Sequence, residues 1–280
     1  ALAGPHLGDA PLMQGDAADH LHVVVAHAER ADRRLADRRE RLGDQLVERA
    51  ALRHLRAEVR GQGREVLLSE PLHLRLEIGD PLVKFEFIRM PDSTGFGDYT
   101  ETGQVIPVRY KGRMGGYVHQ MYLNDHPPIA GGREIWGFPK KHGNPKLSVV
   151  HDTLTGVLEY AGIQVAMATR GYKHQHLLYD VDGCKACSSG SIIEKMSKTQ
   201  VNLKLIPHVD GTPAIAQLVA YELADIQVHG AWSGPARLHL VPHVNAPVAD
   251  LPVRSMLGGL HFIADLTLPY GRVIHDYLAT

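Results

Sequence analysis

The chain has 280 residues, which is enough for one large domain or two small ones. Its 44% hydrophobic and 22% charged residues are typical of a soluble globular protein. The formal net charge of -1 argues against partners that bind by bulk charge, such as nucleic acids and membrane surfaces. No apolar run reaches the roughly 18–20 residues that span a bilayer, and no signal-peptide pattern opens the chain, so we predict a cytoplasmic protein.

The N-terminal segment 1–70 differs in composition from the rest of the chain. It is rich in Arg and Ala, no aromatic residue occurs before Phe85, and no lysine occurs before Lys84. Leucines at mixed spacings among Arg, Glu and Ala predict a helix within 29–60 with a charged, solvated face. Such a composition is also what a GC-rich gene yields when it is translated in the wrong frame. We therefore assign 1–70 as an anomalous segment, helical or poorly ordered, and 71–280 as a separate domain.

Short β-type segments follow from Pro71 onward, separated by turns that contain Gly and Pro. Several of them alternate apolar and polar residues, as a half-buried strand does. Because long helical patterns are few, the sequence predicts a mainly β (α+β) fold built on an antiparallel sheet or barrel. The predicted strands are 82–89, 104–110, 116–123, 147–151, 156–160, 164–169, 201–207, 216–219, 225–228, 237–240, 261–268 and 272–277.

The segment 131–147 contains the candidate chemistry. Lys140 and Lys141 stand between Pro139 and Pro145, directly after Phe138. Prolines restrict the backbone and push the preceding residues toward extended conformations. The segment therefore presents a long side chain on a stiff support, although its local features alone also fit an exposed Lys-Lys turn.

Several blocks of sequence beyond residue 72 occur in the same order in one known family. The blocks are 80–87, 97–104, 106–108, 117–123, 131–147, 171–174, 205–211, 231–235 and 264–268. In them the chain resembles the acetoacetate decarboxylase family, up to residue 280. The resemblance implies a carboxy-lyase that converts acetoacetate to acetone and CO2. It also implies a cone-like antiparallel β-barrel with a flanking β-sheet and a few helices, assembled as a homo-oligomer, often a dodecamer.

The resemblance also implies the site residues. The first lysine of the Pro-Lys-Lys run, Lys140, forms the Schiff base, and Lys141 is the neighbouring cation that tunes how readily this amine loses its proton. Two acidic residues of the family's pocket match Glu86 and Glu101. We predict that Glu101 handles protons during imine formation or enamine protonation. Glu86 is predicted to orient a neighbour or tune the pocket, with a surface acid as the alternative for both carboxylates.

A Schiff base suits this reaction because a protonated imine accepts the electron pair that departing CO2 leaves behind. The amine must be neutral to attack, whereas an ordinary lysine is almost wholly protonated near pH 7. In an extended segment, Lys140 and Lys141 lie on opposite faces, so their repulsion is on the order of 1 kcal/mol or less. We predict that removal from water, by the implied wall residues Met121 and Phe138, does most to favour the neutral amine. A carboxylate beside Lys140 would oppose this, so it has to be distant, protonated or otherwise engaged.

The N-terminal region departs from the family's pattern. An arginine near the family's active site has no match in 1–70, where Arg53, Arg56 and Arg60 lie in unrelated surroundings. One edge of the sheet is therefore expected to be incomplete and exposed. Two alternatives stay open, namely a catalytically inactive barrel and a related Schiff-base aldolase or dehydratase that acts on another oxo-acid.

No cofactor and no metal are predicted. The imine is itself the electron sink, and no Gly-rich phosphate loop with its lysine occurs. The 18 histidines are scattered, and the C-x-x-C pair of Cys184 and Cys187 lacks two further zinc ligands at suitable spacing. The predicted partners are a small β-keto acid and further copies of the chain, with no nucleic acid and no membrane.

Overall fold

The computed structural model describes residues 14–26, 77–78, 82–177 and 189–279. The predicted helix within 29–60, the unmatched residues Arg53, Arg56 and Arg60, and the Cys184–Cys187 pair lie outside the described residues. Within the described residues the fold is mainly β, with two short α-helices. The strands are β1 (Gln14–Ala26), β2 (Glu77–Ile78), β3 (Leu82–Met90), β4 (Asp92–Ser93), β5 (Tyr99–Tyr110), β6 (Arg113–Leu123), β7 (Lys140–His142), β8 (Asn144–Val150), β9 (Thr153–Tyr160), β10 (Ile163–Gly171), β11 (Gln175–His176), β12 (Gln200–Pro207), β13 (Pro213–Tyr221), β14 (Ala224–Gly234), β15 (Ala236–Leu240), β16 (Ser255–Thr267) and β17 (Arg272–Asp276). The helices are α1 (His126–Gly131) and α2 (Ser189–Met196), with a π-helix at Gly132–Trp136 and a 3-10 helix at Val248–Asp250.

Two sheets contain the strands of the described residues. The larger has 13 strands and follows the order β11-β14-β16-β1-β3-β5-β6-β12-β13-β17, while β2, β4 and β7 pair with β5, β1 and β6. The smaller has four strands in the order β15-β10-β9-β8. Most neighbouring strands are antiparallel, whereas β7 and β12 pair with β6 in parallel.

All the strands predicted from Pro71 onward are confirmed, because each overlaps an observed strand. Several observed strands are longer than predicted: β5 begins at Tyr99 and β14 continues to Gly234. The polar residues and glycines inside these strands, such as Gly103, weaken the β propensity on which the prediction relied. Hydrogen bonding to neighbouring strands therefore extends these strands beyond the residues that local composition predicts.

Residues 14–26 form a strand that the sequence did not predict. β1 pairs with β16 on one side and β3 on the other, so it occupies the interior of the larger sheet. The expectation of a helical or poorly ordered segment does not hold for these residues, and the position of β1 is not a sheet edge. Val23, Val24 and Val25 form an apolar run without alternation, which periodicity cannot distinguish from a buried helix segment.

Strand β3 separates two packed regions. The rings of Phe85 and Phe87 on one face of β3 are buried against Leu158 of the smaller sheet, and burial of each ring contributes about 1.5–3 kcal/mol. The sheets approach closely here, since a Cβ at Gly156 would lie 2.5 Å from the Phe87 ring. The other face of β3, which carries Glu86, borders a cavity.

The two α-helices are anchored by local sequence. Helix α1 begins after Asp125, whose carboxylate accepts a hydrogen bond of 2.9 Å from the backbone N–H of His126, and prolines in its first turn suit this position. Helix α2 packs Ile192 and Met196 against the larger sheet. No helix in the described part of the chain is long and apolar enough to cross a membrane.

Candidate active site

Four neighbouring strands form one wall of the candidate site. The register aligns Glu86 of β3 with Gly103 of β5, Gly103 with Met121 of β6, and Met121 with Lys140 of β7. Side chains of directly paired residues lie on the same face of a sheet. Because residues two apart in a strand also share a face, Glu101 joins this row through Gly103. Residues up to 54 positions apart in sequence thus meet through strand pairing.

These strands border a cavity with an empty volume of about 920 Å³, open solvent at its mouth included. Most of its wall is apolar. The cavity brings together five of the six predicted site residues, namely Glu86, Glu101, Met121, Phe138 and Lys140. The other residues that line it are Lys84, Ile88, Met90, Ser93, Tyr99, Val105, Val118, Lys195, Met196, Gln200, Tyr221, Leu223, Leu266 and Leu268.

Lys140 is a buried amine. Its relative exposure is 5%, and its Nζ lies 4.9 Å from the centre of the Phe138 ring and 5.9 Å from that of Tyr99. The Oε2 atom of Glu101 lies 3.2 Å from Nζ, as an ion pair whose alignment is poorer than that of a hydrogen bond. The sequence led us to expect a carboxylate near Lys140 to be distant, protonated or otherwise engaged, and Glu101 is not distant.

The π-helix holds the backbone and the side chain of Lys140 in place. Arg133 donates a hydrogen bond of 3.1 Å from Nη1 to the carbonyl oxygen of Lys140. A Cβ at Gly132 would lie 2.6 Å from Cδ of Lys140 and 3.1 Å from its Nζ, so only glycine leaves space for the lysine stem. The helix ends at Gly137 with φ of 75°, a left-handed conformation that turns the chain into β7.

Glu86 is buried, with a relative exposure of 6%, and β3 runs between β1 and β5. The alternative of a surface acid at a strand edge is therefore wrong for Glu86. Its carboxylate forms an ion pair with the amine of Lys84, two residues earlier on the same face. Lys84 stands in the matched block 80–87, but nothing in its local sequence distinguished it as a cavity residue.

Two tyrosines contribute hydroxyl groups to the cavity. Burial raises the pKa of Tyr99 well above its usual value, and the negative charge of Glu101 raises it further. Burial likewise raises the pKa of Tyr221, with smaller contributions from the charges of Glu86 and Glu101. Both phenols therefore stay neutral among the residues that line the cavity. Tyr221, from the end of β13, was not recognised from the sequence because no local pattern marks it.

Lys141 lies outside the cavity wall. It follows Lys140 in the extended strand β7 and is half-buried, while Lys140 faces the cavity. Consecutive residues of a strand point to opposite faces. This placement supports the view that Lys141 acts on the Lys140 amine only from a distance.

Comparison with known proteins adds to this geometry. The sequence model of the acetoacetate decarboxylase (ADC) family matches residues 65–278. The chain belongs to this family. An acetoacetate decarboxylase of Acidiphilium cryptum (strain JF-5) is 58% identical over 215 residues, which cover 77% of this chain and 82% of the relative. One of Bordetella avium (strain 197N) is 59% identical over 207 residues, covering 73% and 79%.

Solved structures share the fold of this chain. The crystal structure of the enzyme from Legionella pneumophila is similar with a TM-score of 0.74 at 41% identity, covering 100% of this chain and 94% of that one. The enduracididine biosynthesis enzyme MppR, complexed with pyruvate, has a TM-score of 0.66 at 16% identity, covering 97% and 93%, which shows the fold alone. The mainly β architecture therefore agrees with that of acetoacetate decarboxylases.

The described residues contain no group of three or more His, Cys, Asp or Glu side chains placed to hold a metal ion. The family's N-terminal arginine was not matched to any residue of 1–70, and Arg53, Arg56 and Arg60 lie outside the described residues. The cations that the structure places in the cavity are Lys84, Lys140 and Lys195.

Proposed function

We propose that this member of the acetoacetate decarboxylase family converts acetoacetate to acetone and CO2 through a Schiff base on Lys140. The single observation that carries the proposal is the position of the amine. It is 5% exposed, inside a mostly apolar cavity, and 3.2 Å from the carboxylate of Glu101. The acetoacetate decarboxylases that are 58% and 59% identical to this chain support the choice of substrate.

The reaction begins with proton transfer within the Lys140–Glu101 pair. Transfer of a proton from Nζ to Oε2 converts two charges into a neutral amine and a neutral acid, and a cavity with little water favours that change. The amine lone pair then attacks the ketone carbon of acetoacetate. The ketone oxygen takes one proton from Glu101 and one from the nitrogen and leaves as water, which produces the iminium ion.

Loss of CO2 follows from the iminium ion. The electron pair of the breaking C–C bond forms the C=C bond of the enamine, and the π pair of the C=N bond moves onto the nitrogen. The charges of the carboxylate and of the iminium therefore disappear together, and a neutral enamine forms. Because the step removes charge, the apolar walls formed by Met121, Phe138 and their neighbours favour it. Water delivers a proton through Glu101 to the enamine carbon, and hydrolysis of the new iminium releases acetone and restores the amine.

The remaining charged residues act at a distance from the reacting atoms. Glu86, which is paired with Lys84, tunes the cavity on the side opposite β7. Lys141 makes a small contribution to the reactivity of Lys140, since it leaves the other face of β7. Desolvation by the cavity walls contributes most to a neutral amine at position 140.

The proposal extends to the domain, its assembly and its location. The catalytic domain comprises residues 71–280 together with β1, which lies inside the larger sheet, while the rest of 1–70 remains anomalous in composition. The larger sheet closes into a cone-like barrel flanked by the smaller sheet, as the resemblance to the family implies. The chain assembles as a homo-oligomer of up to twelve copies in the cytoplasm. Light scattering of the purified protein and cell fractionation test these two statements.

Reduction with borohydride in the presence of acetoacetate tests the covalent step. An iminium at Lys140 becomes a stable secondary amine, which peptide mass mapping locates. We expect the adduct on Lys140 in the native chain and in the Lys141→Met variant, and no adduct in Lys140→Met. An adduct on another lysine, or none in a folded protein, contradicts the proposal.

The same samples separate the alternative functions. Acetoacetate labelled with ¹³C in its carboxyl group yields labelled CO2 faster than its spontaneous decarboxylation only if the enzyme is a decarboxylase. An adduct without labelled CO2 favours an aldolase or dehydratase that acts on another oxo-acid. A folded protein that gives neither adduct nor labelled CO2 is the inactive barrel.

A further inference from the structure

The charges that line the cavity do not balance. The described part of the chain contributes two carboxylates, Glu86 and Glu101, and three amines, Lys84, Lys140 and Lys195. Glu86 pairs with Lys84, and Glu101 pairs with Lys140. Each pair has no net charge. The Glu101–Lys140 pair keeps a net charge of zero whether the proton is on the amine or on the carboxylate. Three lysines against two glutamates therefore leave one positive charge, and it belongs to Lys195.

Lys195 is placed at the solvent side of the cavity. It lies in the last turn of α2, where the neighbouring Met196 and the preceding Ile192 are buried against the larger sheet. These two apolar side chains fix the helix, so Lys195 is held at the cavity wall although it is itself exposed. It forms no ion pair with any residue in the ranges that the structure describes.

We propose that Lys195 attracts the carboxylate of the substrate into the cavity, and so makes the cavity selective for oxo-acid anions over uncharged ketones. The inference rests on the proposed function. A substrate with one negative charge enters a cavity that already contains two carboxylates. Without Lys195 the cavity has no net charge to draw the anion in. With it, the mouth carries a positive charge that is not engaged by Glu86 or Glu101.

Lys195 suits this task better than the two deeper amines. The amine of Lys84 is engaged by Glu86, and Lys140 has to become neutral to react. A strong cation beside the carboxylate at the reacting centre would also oppose the loss of CO2, because that step removes the negative charge. A cation at the mouth aids capture without this penalty, so it acts on KM more than on kcat.

The test compares Lys195→Gln with Lys198→Gln. Both lysines are exposed and three residues apart, but Lys198 does not line the cavity. We expect Lys195→Gln to raise KM for acetoacetate about two- to fivefold at low ionic strength, with kcat within about twofold, since exposed charges interact weakly. The dependence of kcat/KM on salt becomes shallower in this variant, because salt screens the lost attraction. Lys198→Gln behaves like the native chain.

An uncharged probe shows whether the effect is electrostatic. Acetylacetone has the shape of acetoacetate with an acetyl group in place of the carboxylate, and its inhibition constant is expected to be equal in the native and Lys195→Gln enzymes. Equal weakening of acetylacetone and acetoacetate, or an unchanged KM and salt dependence in Lys195→Gln, overturns the inference and leaves the decarboxylase intact. Absence of CO2 release from the native chain contradicts the proposed function instead, and the inference fails with it.

Discussion

The environment of Lys140 combines two opposing effects within a few ångströms. Burial disfavours the charged ammonium, while the carboxylate of Glu101 at 3.2 Å favours it. The two effects are reconciled if the proton moves between the partners and does not leave the cavity. Before the transfer, Lys140 and Glu101 form an ion pair. After it, Lys140 is the neutral nucleophile and Glu101 is the protonated acid.

Gly132 is expected to be essential for the position of the nucleophile. In Gly132→Ala the new Cβ would lie 2.6 Å from Cδ of Lys140, so the flexible lysine must move while the backbone, with φ of -61°, accepts alanine. Because displacement of about 1 Å costs up to about 100-fold, we expect kcat to fall about 10- to 100-fold. Steady-state kinetics and the rate of borohydride trapping measure the loss.

Gly131→Ala is the matched control for that change. Its backbone has φ of -59°, and its Cβ would meet the edge of the Phe96 ring at 2.9 Å, not Lys140. We expect both variants to unfold at similar temperatures and Gly131→Ala to retain most of its activity. Equal losses of kcat in the two variants would contradict this prediction. They would show that any alanine in the segment 131–132 lowers activity, whether or not it fills the space beside Lys140.

Lys141 is expected to contribute little to the reactivity of its neighbour. Lys141→Met keeps the length of the side chain and removes its charge, and repulsion across β7 is on the order of 1 kcal/mol or less. The pH profile of borohydride trapping should therefore shift by less than about one pH unit. A shift of several units would show that charge repulsion, and not desolvation, activates the amine.

The sequence predicted some of these residues and missed others for physical reasons. Lys140 and Glu101 stand in blocks that resemble a family, so they could be named before any geometry was known. Tyr221 and Lys195 reach the cavity from β13 and α2, and their role depends on packing between elements distant in the chain. A single sequence carries no local signal for such contacts.

At the scale of elements, strand alternation explains how β3 serves two purposes. Its Phe85 and Phe87 face the smaller sheet, and Lys84 and Glu86 face the cavity. Because successive side chains of a strand point to opposite faces, alternate residues of β3 face the core and the residues between them face the cavity. This alternation is visible in the sequence of β3, whereas the partners of each face depend on strand order, which the sequence did not determine.

The turn at the end of the π-helix is predicted to require glycine. Gly137 has φ of 75°, and its Cβ would lie 2.6 Å from the backbone Cα of Lys204. Strain and overlap together are expected to lower the free energy of unfolding by about 3 kcal/mol in Gly137→Ala. Urea unfolding measures the change.

Gly162 provides the control for Gly137. It has a similar φ of 79° in the turn between β9 and β10, but nothing lies within 4 Å of its Cβ position. Gly162→Ala should therefore cost only the backbone strain of about 1 kcal/mol. Equal losses in the two variants would contradict the importance of the contact between the π-helix and β12.

At the scale of the whole molecule, strands of the larger sheet and helix α2 line the cavity, and β17 supports this wall from outside. Strand β17 pairs with β13, which supplies Tyr221 to the cavity and continues into Glu222. Arg272, the first residue of β17, forms a bidentate ion pair with Glu222 through bonds of 2.6 Å and 2.9 Å. This pair links the last strand to the turn that leads into β14.

The Glu222–Arg272 pair predicts a specific pH dependence of stability. Hydrogen bonds from Arg272 lower the pKa of Glu222 below its usual value of 4.5. A lowered folded-state pKa gives stability that is fully present above the unfolded value and is lost as pH falls through the folded value. Arg272→Met should lower the urea midpoint at pH 7, and the difference from the native chain should shrink below about pH 4. Arg254→Met, which removes an exposed arginine, is the control.

The fate of the ketone oxygen tests the proposed Schiff base most directly. Imine formation expels this oxygen as water, and hydrolysis of the product iminium takes a new oxygen from the solvent. In water enriched in ¹⁸O, we predict that acetone released by the native enzyme carries the label in proportion to the enrichment, in excess of the slow exchange seen with Lys140→Met. Acetone that retains the oxygen of the substrate would contradict a covalent intermediate on Lys140.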